Sequence, residues 1–252
     1  MIMAKTNIAW TERTWNPMHG CTKYSMGCAH CYAEVMAKRL QGMGLDKYSK
    51  GFEVTLHPEV LLEPMKIRKP SMFFVCSMGD LFHKDVPFEF IDKVMNVIRD
   101  CPQHTFQLLT KRVERMHEYF LQRIVPGNAW LGTTVECADT KRRIPWLSEI
   151  KGSTIRFLSC EPLLSDLGEL DLFNIDWVIV GGESGNCARP MKKEWVLNIQ
   201  RQCKEQDVPF FFKQWGTYGV DGVKRNKKVN DCLLDGEIYQ EWPKCIQKDV
   251  VD

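Results

Sequence analysis

Short runs of β-branched and aromatic residues recur along this chain, and each is followed by a polar turn and a segment of helical length. Buried strands that alternate with amphipathic helices are typical of a parallel sheet joined by right-handed crossovers. With a first strand expected within residues 1–20, the pattern predicts eight strands. The other seven are predicted at Phe52–Leu56, Met72–Cys76, Thr105–Leu109, Ala129–Val135, Thr154–Leu158, Trp177–Val180 and Pro209–Phe212.

This alternation predicts an α/β fold built on a (β/α) barrel. Eight units in about 215 residues would make a small but complete eight-unit barrel. A partial six-unit barrel of the radical-SAM type and an open doubly wound sheet are the alternatives, because the connection between Thr133 and Thr154 has little helical periodicity. Two segments, Asp85–Asp100 and Lys192–Glu205, have clear amphipathic spacing and are predicted to be helices, the first capped by Asp85.

The composition is that of a mid-sized globular protein. The 252 residues are 44% hydrophobic, which is enough to bury a substantial core. We expect residues 1–216 to form the barrel and residues 217–252 to form a basic C-terminal extension packed on or near it. Met1 is not followed by a signal-peptide-like apolar run, and no run of about 18 apolar residues occurs, so we expect a cytoplasmic protein without a membrane partner.

Three of the eleven cysteines have the spacing of a metal site. Cys21, Cys28 and Cys31 form a Cys-x6-Cys-x2-Cys motif on a glycine-bracketed loop, and the other eight are expected to be reduced thiols. A structural zinc ion would need a fourth ligand, but the chain has no second Cys-x2-Cys and no His-x3-5-His pair. Three thiolates can instead hold a [4Fe-4S] cluster and leave one iron open to a non-protein ligand.

The cysteine loop and several further motifs resemble a known family. The loop resembles that of radical S-adenosylmethionine (SAM) enzymes, although six residues instead of three separate its first two cysteines. The whole chain resembles the phage Gp37/Gp68-like proteins, a three-cysteine-motif family of the radical SAM superfamily. The motifs that carry this resemblance are Thr14–Pro17, Phe52–Pro58, Ser77–Phe82, Leu109–Arg112, Gly181–Gly185, Ala188–Met191, Phe212–Gly216 and Leu234–Gly236.

The resemblance implies an enzyme in which the three cysteines bind a [4Fe-4S] cluster whose open iron chelates S-adenosyl-L-methionine. One electron from a reductant such as flavodoxin or ferredoxin would cleave the cofactor. The resulting 5′-deoxyadenosyl radical would then abstract hydrogen from a substrate. The phage association of the family suggests a nucleobase or a nucleic acid as that substrate, although the net charge of +2 does not by itself demand a nucleic-acid partner.

Polar residues follow the predicted strands at their carboxyl ends, where (β/α) barrels carry their active sites. The candidates for cofactor binding are Ser77, Gly79, Asp80, Thr133, Glu136, Gly181, Gly182 and Glu183. By resemblance, Gly79 and Asp80 would hold the methionine amine of the cofactor, since a carboxylate can accept from an ammonium group. The candidates for catalysis are Cys160, Glu161 and Lys213. For Cys160 a buried structural thiol is the alternative, because an unpaired cysteine usually behaves as a small hydrophobic residue.

A zinc-stabilised nucleic-acid-binding module without catalysis is the alternative function. His19 and His30 flank the cysteines and could complete a Cys3His site, and the basic run at 224–228 could contact phosphates. However, His30 lies inside the Cys-x2-Cys turn, where its ring would point away from a metal held by both neighbours. A short basic run is also typical of a solvated loop.

Overall fold

The computed structural model describes residues 6–152 and 155–244. It divides into two compact units: Met1–Gly132 with Glu149–Thr154, and Thr133–Ser148 with Ile155–Asp252. The helices are α1 (Tyr32–Gly42), α2 (Phe88–Arg99), α3 (Val113–Phe120), α4 (Arg143–Ser148), α5 (Lys193–Glu205) and α6 (Lys227–Asn230). The strands are β1 (Arg13–Trp15), β2 (Met18–His19), β3 (Thr55–Leu56), β4 (Met72–Val75), β5 (Thr105–Thr110), β6 (Ala129–Thr134), β7 (Ile155–Cys160), β8 (Trp177–Gly181), β9 (Phe210–Gln214), β10 (Leu233–Leu234) and β11 (Glu237–Ile238).

The main sheet contains seven strands among the described residues, in the order β1-β4-β5-β6-β7-β8-β9. The strands pair in parallel at β1 with β4, β4 with β5, β7 with β8 and β8 with β9. The α/β fold with a parallel sheet is therefore confirmed, whereas the barrel, with eight units or six, stays a prediction. The predicted strand at 154–158 is present as β7, and Thr154 itself lies outside the described residues.

The predicted strand at Phe52–Leu56 is not part of the main sheet. Only Thr55 and Leu56 are extended there, and they pair antiparallel with β2. The strand ends because His57 and Pro58 turn the chain into a short 3-10 helix. The carbonyl of Phe52 instead accepts a hydrogen bond from the backbone N–H of Cys21 at 3.2 Å.

In unit 1, the amphipathic helix α2 packs with one face in the core. Ile91, Val94, Met95 and Ile98 are buried, as the amphipathic spacing of the sequence predicts. The predicted cap is wrong by two residues, because the N-cap is Pro87 and not Asp85. The backbone N–H of Asp85 instead donates to His83 Nδ1 at 3.2 Å, within the turn that precedes the helix.

In unit 2, the strands β7 and β8 are almost wholly buried, as expected of parallel strands covered on both faces. The C-terminal part of the chain packs against β9 and β8: Phe212 N in β9 donates to Tyr239 O at 2.6 Å, and Trp242 stacks on Trp177 of β8 at 4.9 Å. The predicted boundary between 216 and 217 stays a prediction, and residues 245–252 of that extension lie outside the described residues. No described helix is both long enough and apolar enough to cross a membrane.

Candidate functional site

The cysteine loop, residues 20–31, lies between β2 and α1 in unit 1. Its first residue is fixed to the turn after β4, because Gly20 N donates to Met78 O at 2.9 Å and Gly20 bridges Gly79. Gly20 has a φ of +90°, and a Cβ there would lie 2.1 Å from Glu53 O. A Cβ on Gly79 would likewise lie 2.8 Å from Gly20 O. Both glycines are therefore required by close backbone packing at the start of the loop.

The three cysteines are partly exposed, and none of the ten described cysteines forms a disulfide. Cys28 ends a short 3-10 helix, and Cys31 is the N-cap of α1, as the sequence predicts. A helix N-terminus favours a thiolate. Within residues 6–152 and 155–244, no group of three or more His, Cys, Asp or Glu side chains converges as it would around a single metal ion. In a [4Fe-4S] cluster, each thiolate binds a different iron atom, so the sulfurs do not converge on one point.

A buried arginine connects the first cysteine to the strand ends of unit 1. One Arg112 terminal nitrogen, Nη1, donates to Cys21 Sγ at 3.3 Å and to Asp80 Oδ2 at 2.9 Å. The other, Nη2, donates to the carbonyl and the hydroxyl of Thr22, at 2.9 and 3.1 Å. Arg112 and Asp80 are each only 8% exposed at their side chains. The arginine thus holds two consecutive loop residues.

The predicted ligand-binding carboxylate, Asp80, is fully engaged by protein donors. Besides Arg112, its oxygens accept from Thr110 Oγ1 at 2.7 Å and from the Phe82 backbone N–H at 3.0 Å. Thr110 Oγ1 in turn accepts from the Arg112 backbone N–H at 2.9 Å, so the side chain and the backbone of Arg112 are both fixed. The observed role of Asp80 is to hold Arg112, and its role towards a cofactor amine stays a prediction.

Two further side chains complete this network. His83 is fully buried, and its Nε2 lies 2.8 Å from Thr22 Oγ1. Since Nδ1 of the same ring accepts from the Asp85 backbone, Nε2 carries the proton and donates to Thr22. Tyr24 lies with its ring 4.8 Å from the Arg112 guanidinium, in cation–π contact. Two loop residues are therefore held by these contacts, Thr22 by His83 and Tyr24 by Arg112.

The surroundings of Cys21 keep its thiol protonated when no metal is bound. Burial and, next in size, the Asp80 carboxylate together raise the pKa of Cys21 to about 11, against the opposing effect of the Arg112 guanidinium. Metal binding at this cysteine would displace the proton, as in other thiolate sites.

The predicted residue Ser77 lies in the turn after β4, which the Asn16 side chain organises. Asn16 Oδ1 accepts from Ser77 Oγ and from the Met78 backbone N–H, both at 3.1 Å. The Ser77 carbonyl accepts from the hydroxyl of Tyr32, which directly follows the third cysteine. The turn therefore contacts the cysteine loop near both of its ends.

The two histidines near the cysteines differ in position. His19 is fully buried, lies in tilted ring contact with Tyr48, and stacks on His57, with its Nδ1 2.7 Å from His57 Nε2. Burial and, next in size, the neighbouring His57 together lower the pKa of His19 to about 4. His30, in contrast, is exposed. His19 is thus engaged in a buried histidine pair away from a Cys3His arrangement.

In unit 2, the predicted residues Thr133 and Glu136 are buried. The Glu136 carboxylate accepts from Arg143 Nη1 at 2.8 Å, and this nitrogen also donates to Thr134 O at 2.7 Å. The side chains of Glu136 and Arg143 are at most 1% exposed. The pair ties α4 to the end of β6, and the role of Glu136 as a cofactor ligand stays a prediction.

The glycine cluster after β8 is explained by close packing. A Cβ on Gly182 would lie 1.9 Å from Trp215 O, and one on Gly181 would lie 2.8 Å from Glu161 Oε1. Glu183, the next residue, is clamped by Arg189, whose Nε and Nη2 donate to its two carboxylate oxygens at 2.8 and 2.7 Å. The glycines thus let the loops after β8 and β9 meet, and their use as a ligand seat stays a prediction.

The catalytic candidates lie at the ends of β7 and β9. Lys213 Nζ lies 2.8 Å from Glu161 Oε1, and both side chains are partly exposed. Ser159 Oγ also donates to Glu161, at 3.2 Å. Cys160 is fully buried between these residues along the strand, and burial raises the pKa of its thiol well above the usual value. This burial agrees with the structural-thiol alternative, and any catalytic role of the three residues stays a prediction.

The residue that sequence reasoning undervalued is Arg112. Arg112 follows a predicted strand, so the sequence predicts a cation at the carboxyl end of that strand. No rule of sequence spacing pairs it with Cys21, which lies 91 positions away. The motif Leu109–Arg112, which covers the last two residues of β5 and the two residues after it, is the one sequence signal that could have singled it out.

Comparison with known proteins places the chain in a family. No curated protein matches its sequence. Among solved structures, it is similar to a cysteine-to-alanine mutant of spore photoproduct lyase with dinucleoside spore photoproduct, at 11% identity and a TM-score of 0.50, over 81% of this chain and 63% of that one. Another structure of such a mutant matches at 10% identity and a TM-score of 0.50, over 72% and 58%.

The chain spans about 60% of the length of these lyase structures. At this identity the likeness shows a similar fold and nothing further. A family model described as "Protein of unknown function (DUF5131)" matches residues 5–243, so the chain belongs to the DUF5131 family.

Proposed function

We propose that this protein is a radical SAM enzyme in which Cys21, Cys28 and Cys31 bind a [4Fe-4S] cluster. The chemistry of the donor set supports the proposal, because three reduced, partly exposed thiols lie on one loop next to the carboxyl ends of β1 and β4. The fold likeness to spore photoproduct lyase and the resemblance to the Gp37/Gp68-like family support it further. When bound, the cluster would deliver one electron to S-adenosylmethionine, from a reductant of the flavodoxin or ferredoxin type.

The residues of unit 1 would bind the cluster and keep its surroundings ordered. The backbone packing of Gly20 and Gly79 fixes the start of the loop, and the N-cap position of α1 fixes Cys31 at its end. Ser77, Gly79 and Asp80 would line the cofactor side of the turn after β4. Asp80 can accept from a methionine ammonium only in competition with its three present donors.

The residues of unit 2 supply further candidates. Glu161 and Lys213 form a partly exposed ion pair, so either could exchange its partner for a ligand group at a modest cost. Gly181, Gly182 and Glu183 form the adjoining loop, whereas Thr133 and Glu136 lie in the buried part of the unit. We propose a nucleobase or nucleic acid as substrate, because a similar solved structure contains dinucleoside spore photoproduct.

The proposal is tested by anaerobic reconstitution of the purified chain with iron and sulfide. We expect a brown protein with about four irons and four sulfides per chain, an electron paramagnetic resonance signal on reduction that changes when SAM is added, and release of 5′-deoxyadenosine. The Cys28→Ser and Cys31→Ser variants should lose the cluster. Cys187→Ser, which changes an exposed cysteine of unit 2, is the matched control and should retain it.

Two results would contradict the proposal. If a full cluster forms but neither SAM binding nor 5′-deoxyadenosine is detected, the enzymatic part is wrong. If the protein is colourless and carries one zinc per chain that the same cysteine variants remove, the zinc-stabilised module is correct instead.

A further inference from the structure

Arg112 is the residue of unit 1 that contacts the cysteine loop most extensively through its side chain. Its guanidinium group has four acceptors within 3.3 Å, and three of them belong to Cys21 and Thr22. The fourth is Asp80, which fixes the guanidinium from the side of the strands. An arginine fork that is held by a carboxylate is preorganised, so little side-chain entropy is lost when it binds the loop.

The position of Arg112 is fixed independently of the loop. Its backbone N–H donates to Thr110, whose hydroxyl donates to Asp80, and all three residues are buried. The cation therefore keeps its place after β5 even if the loop moves, and it lies beside Cys21 whenever the loop is in its observed position. A fixed positive charge next to a cluster thiolate stabilises the more negative, reduced state of the cluster.

We propose that Arg112 is a positioning residue that holds the cysteine loop ready for the cluster and raises the reduction potential of that cluster. This inference rests on the proposed function for its second half only. Asp80 acts through Arg112, and Thr22 transmits the hold to the loop backbone. Both halves follow from contacts between residues of unit 1.

The hold on the loop is tested without any metal, by hydrogen–deuterium exchange of the full-length, cluster-free chain. In Arg112→Gln, we expect the amides of residues 20–31 to exchange about tenfold faster or more, because two hydrogen bonds from a charged group to Thr22 are lost. Peptides of α5 should exchange as in the wild type. The control is Arg123→Met, which removes another arginine–aspartate pair of unit 1. This pair does not contact the cysteine loop, so the exchange of the loop amides should not change.

Should Arg112→Gln fail to fold because Asp80 loses its cation, Asp80→Asn/Arg112→Gln removes both charges and serves in its place. Unchanged loop exchange in the folded variant would overturn the positioning half.

The electrostatic half is tested by redox titration of the reconstituted protein. Arg112→Gln should give a more negative reduction potential and a shifted paramagnetic resonance signal. Arg112→Lys keeps the charge but not the planar fork, so it should restore the potential and only partly restore loop protection. A potential equal to that of the wild type in Arg112→Gln would overturn this half. If the wild type binds no cluster, the proposed function fails, and the exchange measurement still decides the positioning half.

Discussion

Each unit contains a buried arginine held by a carboxylate, and the two differ in what else the arginine binds. In unit 1, Arg112 is held by Asp80 and extends to the cysteine loop. In unit 2, Arg143 is held by Glu136 and extends to the carbonyl of Thr134 in β6. The second network is closed within the core, whereas the first ends on a loop with partly exposed thiols. The same pairing can therefore serve stability in one place and a site in the other.

The largest effect is expected where the network is closed. Arg143→Met should lower the free energy of unfolding by about 3–5 kcal/mol, because it leaves the Glu136 carboxylate buried without its cation. The measurement is urea unfolding followed by circular dichroism. Arg142→Met, one residue earlier and exposed, should change the free energy of unfolding by no more than about 0.5 kcal/mol.

The double variant Glu136→Leu/Arg143→Met should recover much of this loss, since replacing both charges of a buried pair with apolar groups is often neutral. A single variant as stable as the wild type would show that the pair in unit 2 is not the structural element inferred here.

The second prediction compares the effect of adding a side chain at one glycine of each unit. Gly20→Ala and Gly182→Ala would each place a Cβ about 2 Å from a backbone carbonyl oxygen, so each should cost about 1–3 kcal/mol or more. Gly20 also has a φ of +90°, which adds about 1–2 kcal/mol for a residue with a side chain. We expect Gly20→Ala to lower the iron content after reconstitution and Gly182→Ala to leave it unchanged in the folded fraction.

The control for both is Gly127→Ala, because a Cβ there meets no atom within 4 Å. Iron content that falls equally in Gly20→Ala and Gly182→Ala would mean that cluster binding depends on overall stability and not on the start of the cysteine loop.

The strands and helices of the fold could be predicted because their signals are local. The alternation of apolar runs with amphipathic segments predicted seven strands after the first, and six of these lie in the main sheet. The helical spacing of the apolar residues after Cys31 predicted α1. Phe52–Leu56 is the exception: its apolar residues suggest a strand, but its backbone bonds are given to the cysteine loop and to β2.

The candidate site was less predictable, because its contacts join distant positions. The sequence shows that Asp80, Glu136 and Glu183 follow strands, but not that each is bound by an arginine, namely Arg112, Arg143 and Arg189. A carboxylate that is already paired and one that awaits a ligand have the same sequence signature. Only the side-chain geometry distinguishes them, and it leaves Glu161, paired with Lys213, as more exposed than Glu136 or Glu183.

A third effect, of intermediate size, concerns the loop after β8. Arg189→Ala should lower the free energy of unfolding by about 1–2 kcal/mol, because Glu183 would lose a bidentate partner while Arg189 itself is 29% exposed. The exposed Arg201, paired with Glu205 along α5, is the matched control, and Arg201→Ala should lower the free energy of unfolding much less than Arg189→Ala does. Equal losses in the two variants would show that the clamp on Glu183 adds nothing to an ordinary surface pair.

The smallest effect compares one aspartate from each unit through the pH dependence of stability. In unit 1, hydrogen bonds from Arg123 and Tyr119 lower the pKa of Asp92, so its contribution is present above the unfolded pKa of about 3.9 and is lost as the pH falls below it. In unit 2, burial raises the pKa of Asp176, against the opposing hydrogen bond from the Arg156 backbone, so stability is lost as the pH rises from about 3.9 through the folded pKa.

The two aspartates should therefore give opposite slopes of the free energy of unfolding against pH. Urea unfolding between about pH 3 and pH 6 would measure them in the variants Asp92→Asn and Asp176→Asn. We expect Asp92→Asn to lose up to about 1 kcal/mol near neutral pH and little at the acid end, because the pair is partly exposed. Asp176→Asn should gain stability relative to the wild type as the pH rises. Parallel curves for the wild type and both variants would show that neither carboxylate has a pKa altered by folding.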